Sequence, residues 1–75
     1  MNILELKQGK TAYIHDIKDI HHIVKQRLLQ IGVCEGSLIK MKRMMPFGGP
    51  CMIECSGQVI GIRRSDAKKI LVNGQ

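Results

Sequence analysis

Apolar and polar positions alternate along most of this chain, with one interruption where the period lengthens. After Gly9, Ala12 and Ile14 alternate with Thr11, Tyr13 and His15, and this period of two predicts a first strand from Lys10 to Ile17, with Leu4 and Leu6 packed beside it. From Asp19 the period changes. Ile20, Ile23, Val24, Leu28 and Ile31 fall on one face of a helix, which predicts a single helix from Ile20 to Ile31, with Asp19 as N-cap and Gly32 as the left-handed terminator.

Alternation resumes past the turn at Cys34-Glu35-Gly36. Ser37 to Arg43 reads as a half-exposed strand, with Ile39 and Met41 on one face and Leu38, Lys40 and Lys42 on the other. The run MMPFGGP, Met44 to Pro50, is a connection rich in Pro and Gly. It leads into a strand in which Cys51, Ile53 and Cys55 share one face and Met52 and Glu54 the other. A tight turn at Ser56-Gly57 or Gly57-Gln58 joins this strand to Val59–Arg63. Ser65 is placed to cap a short turn over Asp66 to Lys68 before Ile70 to Val72 closes the sheet. The predicted fold is β-rich: a small barrel of about five strands with a helical insert between the first and second. Closing the sheet would remove edges that so short a chain has little material to cover.

The chain has 75 residues, so one domain over 1–75 is expected, and at this size only about 60% of the unfolded surface is buried, which leaves little room for a deep substrate pocket. Twelve Lys and Arg against six Asp and Glu give a formal charge of +6, which favours an acidic partner surface. The odd count of three Cys, without a Cys-x-x-Cys pair, points to neither a disulfide framework nor a zinc knuckle, and fits a reducing cytoplasm. The longest uncharged stretch, Met44 to Ile53, is broken by two Pro and two Gly, whereas a spanning helix needs about 20 apolar residues. No membrane insertion and no signal peptide are expected.

Candidate chemistry is sparse. His15, Asp16, Asp19, His21 and His22 are ligand types for first-row metals, but His15 and Asp16 project to opposite faces of a strand and His21 and His22 diverge by about 100° on a helix. No metal site and no cofactor are expected from them. Cys51 and Cys55 flank Ile53 on the inward face and read as small core residues, whereas Cys34 lies in a turn. No nucleophile is set beside a base, no P-loop is present and no paired carboxylates stand in apolar surroundings, so the expectation is that the protein is not an enzyme.

Three stretches, RLLQIGVCEG, PFGGP and IGIRRSDAKKILV, resemble in order and interval the signature segments of the ferrous iron transport protein A family, and the likeness covers nearly the whole chain. Departures from the pattern fall at Glu35, Gly49, Cys51 and Cys55. The resemblance implies an SH3-like barrel and a small cytoplasmic partner of the membrane ferrous iron transporter, ferrous iron transport protein B, whose cytoplasmic part carries a GTP-binding domain. The same barrel ends iron-dependent repressors similar to the diphtheria toxin repressor, so a regulatory domain of metal homeostasis is an alternative.

Within that frame, the run around MMPFGGP is the favoured contact surface. Met44, Met45, Pro46 and Phe47 place large apolar groups on a loop, and Lys40, Lys42 and Arg43 form a basic rim that would orient an acidic partner. Arg27, Arg63 and Arg64 are candidates for contacting the GTPase in trans, with Arg63 and Arg64 projecting opposite ways. An RNA-binding barrel is the rival that the charge suggests. It is disfavoured because only Tyr13 and Phe47 are available for base stacking.

Overall fold

The computed structural model describes residues 1–74, so Gln75, the last residue of the expected domain, lies outside the described residues. A 3-10 turn over Ile3–Glu5 precedes strand β1 (Thr11–Asp16), helix α1 (His22–Gln30), strands β2 (Leu38–Met44), β3 (Cys51–Cys55) and β4 (Gln58–Ile62), the short helix α2 (Arg64–Ala67) and strand β5 (Leu71–Gly74). Five strands with a helix between the first and second match the expectation. The order across the sheet is β4-β3-β2-β1-β5, and all neighbours are antiparallel.

The inward faces are those that the alternation specified. Ala12, Ile14, Ile39, Met41, Cys51, Ile53 and Cys55 are all buried, and Tyr13 and Leu38 are turned outward. Each fully buried Ile or Leu contributes about 1.5–3 kcal/mol relative to exposure, so a few such residues carry much of the stability of a chain this size. Cys51 and Cys55 are part of this core. Burial pushes the Cys51 thiol up, partly opposed by its own backbone amide and by the positive charge of Arg64.

The sheet, however, does not close: β4 and β5 stand at opposite ends of the order. The reason is that both sides of β5 are already occupied. One pairs with β1. On the other, Asn2 bridges Leu71, the Val72 N–H donates to the Met1 carbonyl at 2.8 Å, and the Ile3 N–H donates to the Ile70 carbonyl at 3.1 Å. A capping box holds this N-terminal segment in shape: the Asn2 side chain accepts from the Leu4 N–H, and the Asn2 N–H donates to Glu5 Oε1, each at 2.9 Å. Ile3, with no exposed surface, anchors it in the core.

Two helix boundaries differ from expectation. α1 begins at His22, not Ile20, and its N-cap is His21, whose Nδ1 accepts from the Ile23 N–H at 3.2 Å. Asp19 does not cap, because the buried pair Ile17 and Ile20 holds the preceding residues in a turn. There Asp16 Oδ1 takes the Lys18 N–H at 2.8 Å, which holds that carboxyl below its ordinary range. With the later start, the stripe facing the sheet is Val24, Leu28 and Ile31. Ile23, about 100° round from Val24, is 48% exposed rather than buried. Gly32 does terminate the helix: its φ is +86°, its N–H donates to Leu29, and the Val33 N–H donates to Leu28, which is the Schellman arrangement with Val33 buried. Ser65 does not cap α2 either. The helix starts two residues earlier, at Arg64, with Arg63 at the N-cap position and without a side-chain cap, so that Ala67 reaches the core.

Candidate docking site

The connection between β2 and β3 is a tight turn. Gly49 N–H donates to the Pro46 carbonyl at 3.1 Å and Met45 N–H to the Pro50 carbonyl at 3.0 Å, so Phe47 and Gly48 are its central residues. Their φ values of 59° and 73° are the positive pair of a type I′ turn, which suits the right-handed twist of the flanking strands. Gly, Asn or Asp ordinarily fills the first of these positions. A bulky side chain there costs about 1–2 kcal/mol in backbone strain. Phe47 occupies it all the same, and its side chain is fully exposed at 103% of the reference surface.

Arg64 holds this turn from across the fold. Its Nε donates to the Gly49 carbonyl at 2.8 Å and its Nη2 to the Met45 carbonyl at 2.6 Å, so one planar guanidinium fixes both arms. Gly49 suits the close approach, since a Cβ there would lie 2.9 Å from Met45 Cβ and 3.1 Å from the Pro46 carbonyl oxygen. Met44 and Met45 are half-buried, with Met44 packed against the core, whereas Pro46 and Phe47 are exposed. The apolar surface offered to a partner is therefore narrower than the run of four suggests and is centred on Phe47.

The basic residues lie on the adjacent strand. The β2–β3 register slips between Met41 and Arg43, a bulge that turns consecutive residues Lys42 and Arg43 both to solvent, beside exposed Lys40. Lys42 Nζ lies 3.3 Å from Glu54 Oε1, an exposed pair worth little in stability.

Arg27 and Arg63 lie elsewhere. Together they line a groove of about 290 Å³ between α1, β4 and α2, whose walls are Val24, Leu28, Ile31, Ile60, Gly61 and Ile62, with Asp66 at the α2 side. Arg63 and Arg64, adjacent in sequence, thus serve different places, the first at this groove and the second at the β2–β3 turn. The groove was not anticipated from the sequence. Gly61, an isolated glycine inside β4, does not mark it, since a Cβ there would meet the cross-strand Met52 Sδ at 3.3 Å.

The His and Asp residues around α1 do not converge. The His21 and His22 rings stack with centroids 4.6 Å apart, and among the described residues no group of three or more His, Cys, Asp or Glu side chains is placed to hold a metal ion. No helix among the described residues is long and apolar enough to cross a membrane.

Comparison with known proteins bears directly on these features. The FeoA domain family matches residues 1–74. No curated protein sequence gives a match. Among solved structures, the FeoA protein of Chlorobium tepidum is 31% identical, superposes with a TM-score of 0.92, and is matched over 99% of this chain and 70% of its own. The zinc-complexed FeoA of Stenotrophomonas maltophilia, an SH3 domain protein, is 25% identical with a TM-score of 0.80, over 97% of this chain and 89% of its own. The T. acidophilum IdeR, at 23% identity and a TM-score of 0.85 over 100% of this chain and 34% of its own, shares the fold. The architecture is thus SH3-like with an open sheet. Matched to the family domain along almost its whole length and 31% identical to a FeoA protein of known structure, the chain belongs to the FeoA domain family, which is associated with ferrous iron transport.

Proposed function

We propose that the protein is a cytoplasmic accessory of ferrous iron uptake, without catalytic activity of its own, that docks through the β2–β3 turn onto the cytoplasmic GTP-binding part of the membrane ferrous iron transporter, ferrous iron transport protein B. The Stenotrophomonas maltophilia relative has been put forward as a ferrous iron transport activating factor, and this chain shares its fold and family.

One observation carries the reading. Phe47 is fully exposed in a left-handed conformation that its side chain makes unfavourable, on a turn that Arg64 holds rigid. A strained, rigid and exposed aromatic contributes nothing to this fold, whereas a preordered aromatic anchor binds at low entropic cost. Lys40, Lys42 and Arg43 supply a cationic flank that draws an acidic partner surface to it.

The test is titration of the protein into the purified cytoplasmic portion of its transporter, following binding and GTP turnover, with single-stranded RNA as control ligand. Phe47→Gly should abolish binding while raising stability by about 1 kcal/mol through relief of the turn strain. Met45→Asp combined with Phe47→Ser should abolish binding as well. Undiminished binding by Phe47→Gly would sink the docking assignment, and a rise in turnover that disappears in Arg27→Ala, Arg63→Ala or Arg64→Ala would add a transition-state role for that arginine. Preference for RNA would replace the reading altogether.

A further inference from the structure

The β3–β4 hairpin turns on Ser56 and Gly57, with φ of 52° and 80°, which makes Cys55 and Gln58 the first hydrogen-bonded pair of the ladder. Bonded and non-bonded pairs alternate in an antiparallel ladder. Ile53–Ile60 and Cys51–Ile62 are therefore bonded pairs, and the N–H and C=O groups of Val59 and Gly61 point away from β3, out of the sheet edge. β4 ends the strand order, and no other described strand pairs there.

Bare edges are normally blunted by lysine, proline or a bulge, because they recruit other chains. β4, Gln58-Val59-Ile60-Gly61-Ile62, has no charge and no proline, and its register with β3 is continuous. Beside it runs the groove formed with α1, whose walls are the partly exposed Val24, Ile31 and Ile60 together with Leu28. Gly61 borders that groove with its backbone, while a Cβ at this position would lie over Met52, 3.3 Å from its Sδ. Arg27 and Arg63 both line the groove, and neither makes an ion pair or side-chain hydrogen bond among the described residues. Asp66 is the one acidic group there, so the balance is cationic.

We propose that the β4 edge and this groove form a second binding site, which takes an extended acidic peptide segment of a partner protein as an added strand. The peptide backbone bonds to Val59 and Gly61. Its alternate apolar side chains enter the groove against Val24, Leu28 and Ile31, and its carboxylates meet Arg27 and Arg63. Strand addition draws affinity from such main-chain bonds and specificity from pockets at every second residue. A second copy of the chain is the poorer occupant, since pairing β4 with β4 would bring together two sets of Arg27 and Arg63 on molecules that each carry a formal charge of +6. The site is independent of the Phe47 turn.

The test uses the full chain, isotopically labelled, and an acetylated, amidated peptide of sequence Glu-Val-Glu-Leu-Glu-Val. Amide hydrogen exchange at Val59 and Gly61 should slow on binding, with chemical-shift changes at Val24, Leu28 and Ile31. Methylating the peptide nitrogens that face β4 should weaken binding at least about tenfold, as loss of two or more backbone bonds implies, although the side chains are unchanged. Replacing Glu by Lys in the peptide should abolish it. Arg27→Glu with Arg63→Glu, both on exposed side chains, should do the same without moving the thermal midpoint. The proposal is overturned by no binding, by full-strength binding of the methylated peptide, or by shifts centred on Lys40, Lys42 and Phe47. Protection of Val59 and Gly61 that appears without peptide and grows with protein concentration would overturn it too, because the occupant would then be a second copy.

Discussion

The two ends of the sheet are treated differently. At the β5 end, residues 1–3 lie along the strand, satisfy its outward amide at Val72 and bury Ile3 beneath it. At the β4 end no described segment pairs with the strand, and a groove with two unpaired arginines opens beside it. Residues 1–3 thus cover one edge only. The lesson is that the bare edge is not a by-product of size: three residues and a capping box suffice to cover an edge, and β4 lacks even the charges that would discourage a partner.

The contrast breaks most severely at the covered end. Ile3→Ala removes a fully buried side chain and the anchor of the cover, and should cost about 3 kcal/mol in denaturant unfolding. Exchange of the Val72 amide should accelerate by more than the global loss explains. If it stays in step with global unfolding, residues 1–3 do not act as a separate cover for that edge.

A smaller effect is expected at the β2–β3 turn, which is held not by an added strand but by Arg64. Arg64→Ala should cost about 2 kcal/mol, since it removes two charge-assisted bonds to partly buried carbonyls. Arg64→Lys should recover less than half, because an ammonium does not reproduce the guanidinium fork. The loss should deepen in alkali. Cys51 is held above its ordinary value of 9.0 by burial, and Arg64 partly opposes that shift. A raised folded-state pKa contributes stability that is present below the unfolded value and is lost as pH rises through the folded one, and removing Arg64 widens that gap. An unfolding midpoint unchanged in Arg64→Ala would show that the turn needs no brace.

The smallest effect separates the edges most cleanly. Val59→Pro deletes an N–H that points out of the sheet, so stability should stay within about 1 kcal/mol of the parent. The same change in the middle of a paired strand would remove a ladder bond. Strong destabilisation by Val59→Pro, measured by thermal unfolding, would mean that β4 is not bare in solution.

Much of the fold was legible because its signals are local. Alternation in Thr11 to His15, Ser37 to Arg43 and Cys51 to Cys55 specified strands and their inward faces. Gly32 and Gly57 marked places where φ must be positive, whereas the choice between Ser56-Gly57 and Gly57-Gln58 for the hairpin turn fell to the register of β3 with β4, which puts Ser56 and Gly57 at its centre. The start of α1 was less legible: side-chain preference pointed to Asp19 as the cap, and burial of Ile17 and Ile20 moved the start to His22, with His21 as the cap. At the candidate sites, the turn could be found from its Pro, Gly and Phe, but the division of labour between Arg63 and Arg64 could not.

What the sequence alone determined, then, is the set of elements, the side of each that faces inward and the family to which the chain is similar, because these depend on neighbouring residues and their periodicity. Tertiary structure decided that the barrel stays open, that Arg64 braces a turn 15 and 19 positions away, and that Arg27 and Arg63 meet at one groove. Those outcomes depend on backbone carbonyls and strand edges. Every residue carries such groups alike, so no pattern of side chains announces which of them will be left free.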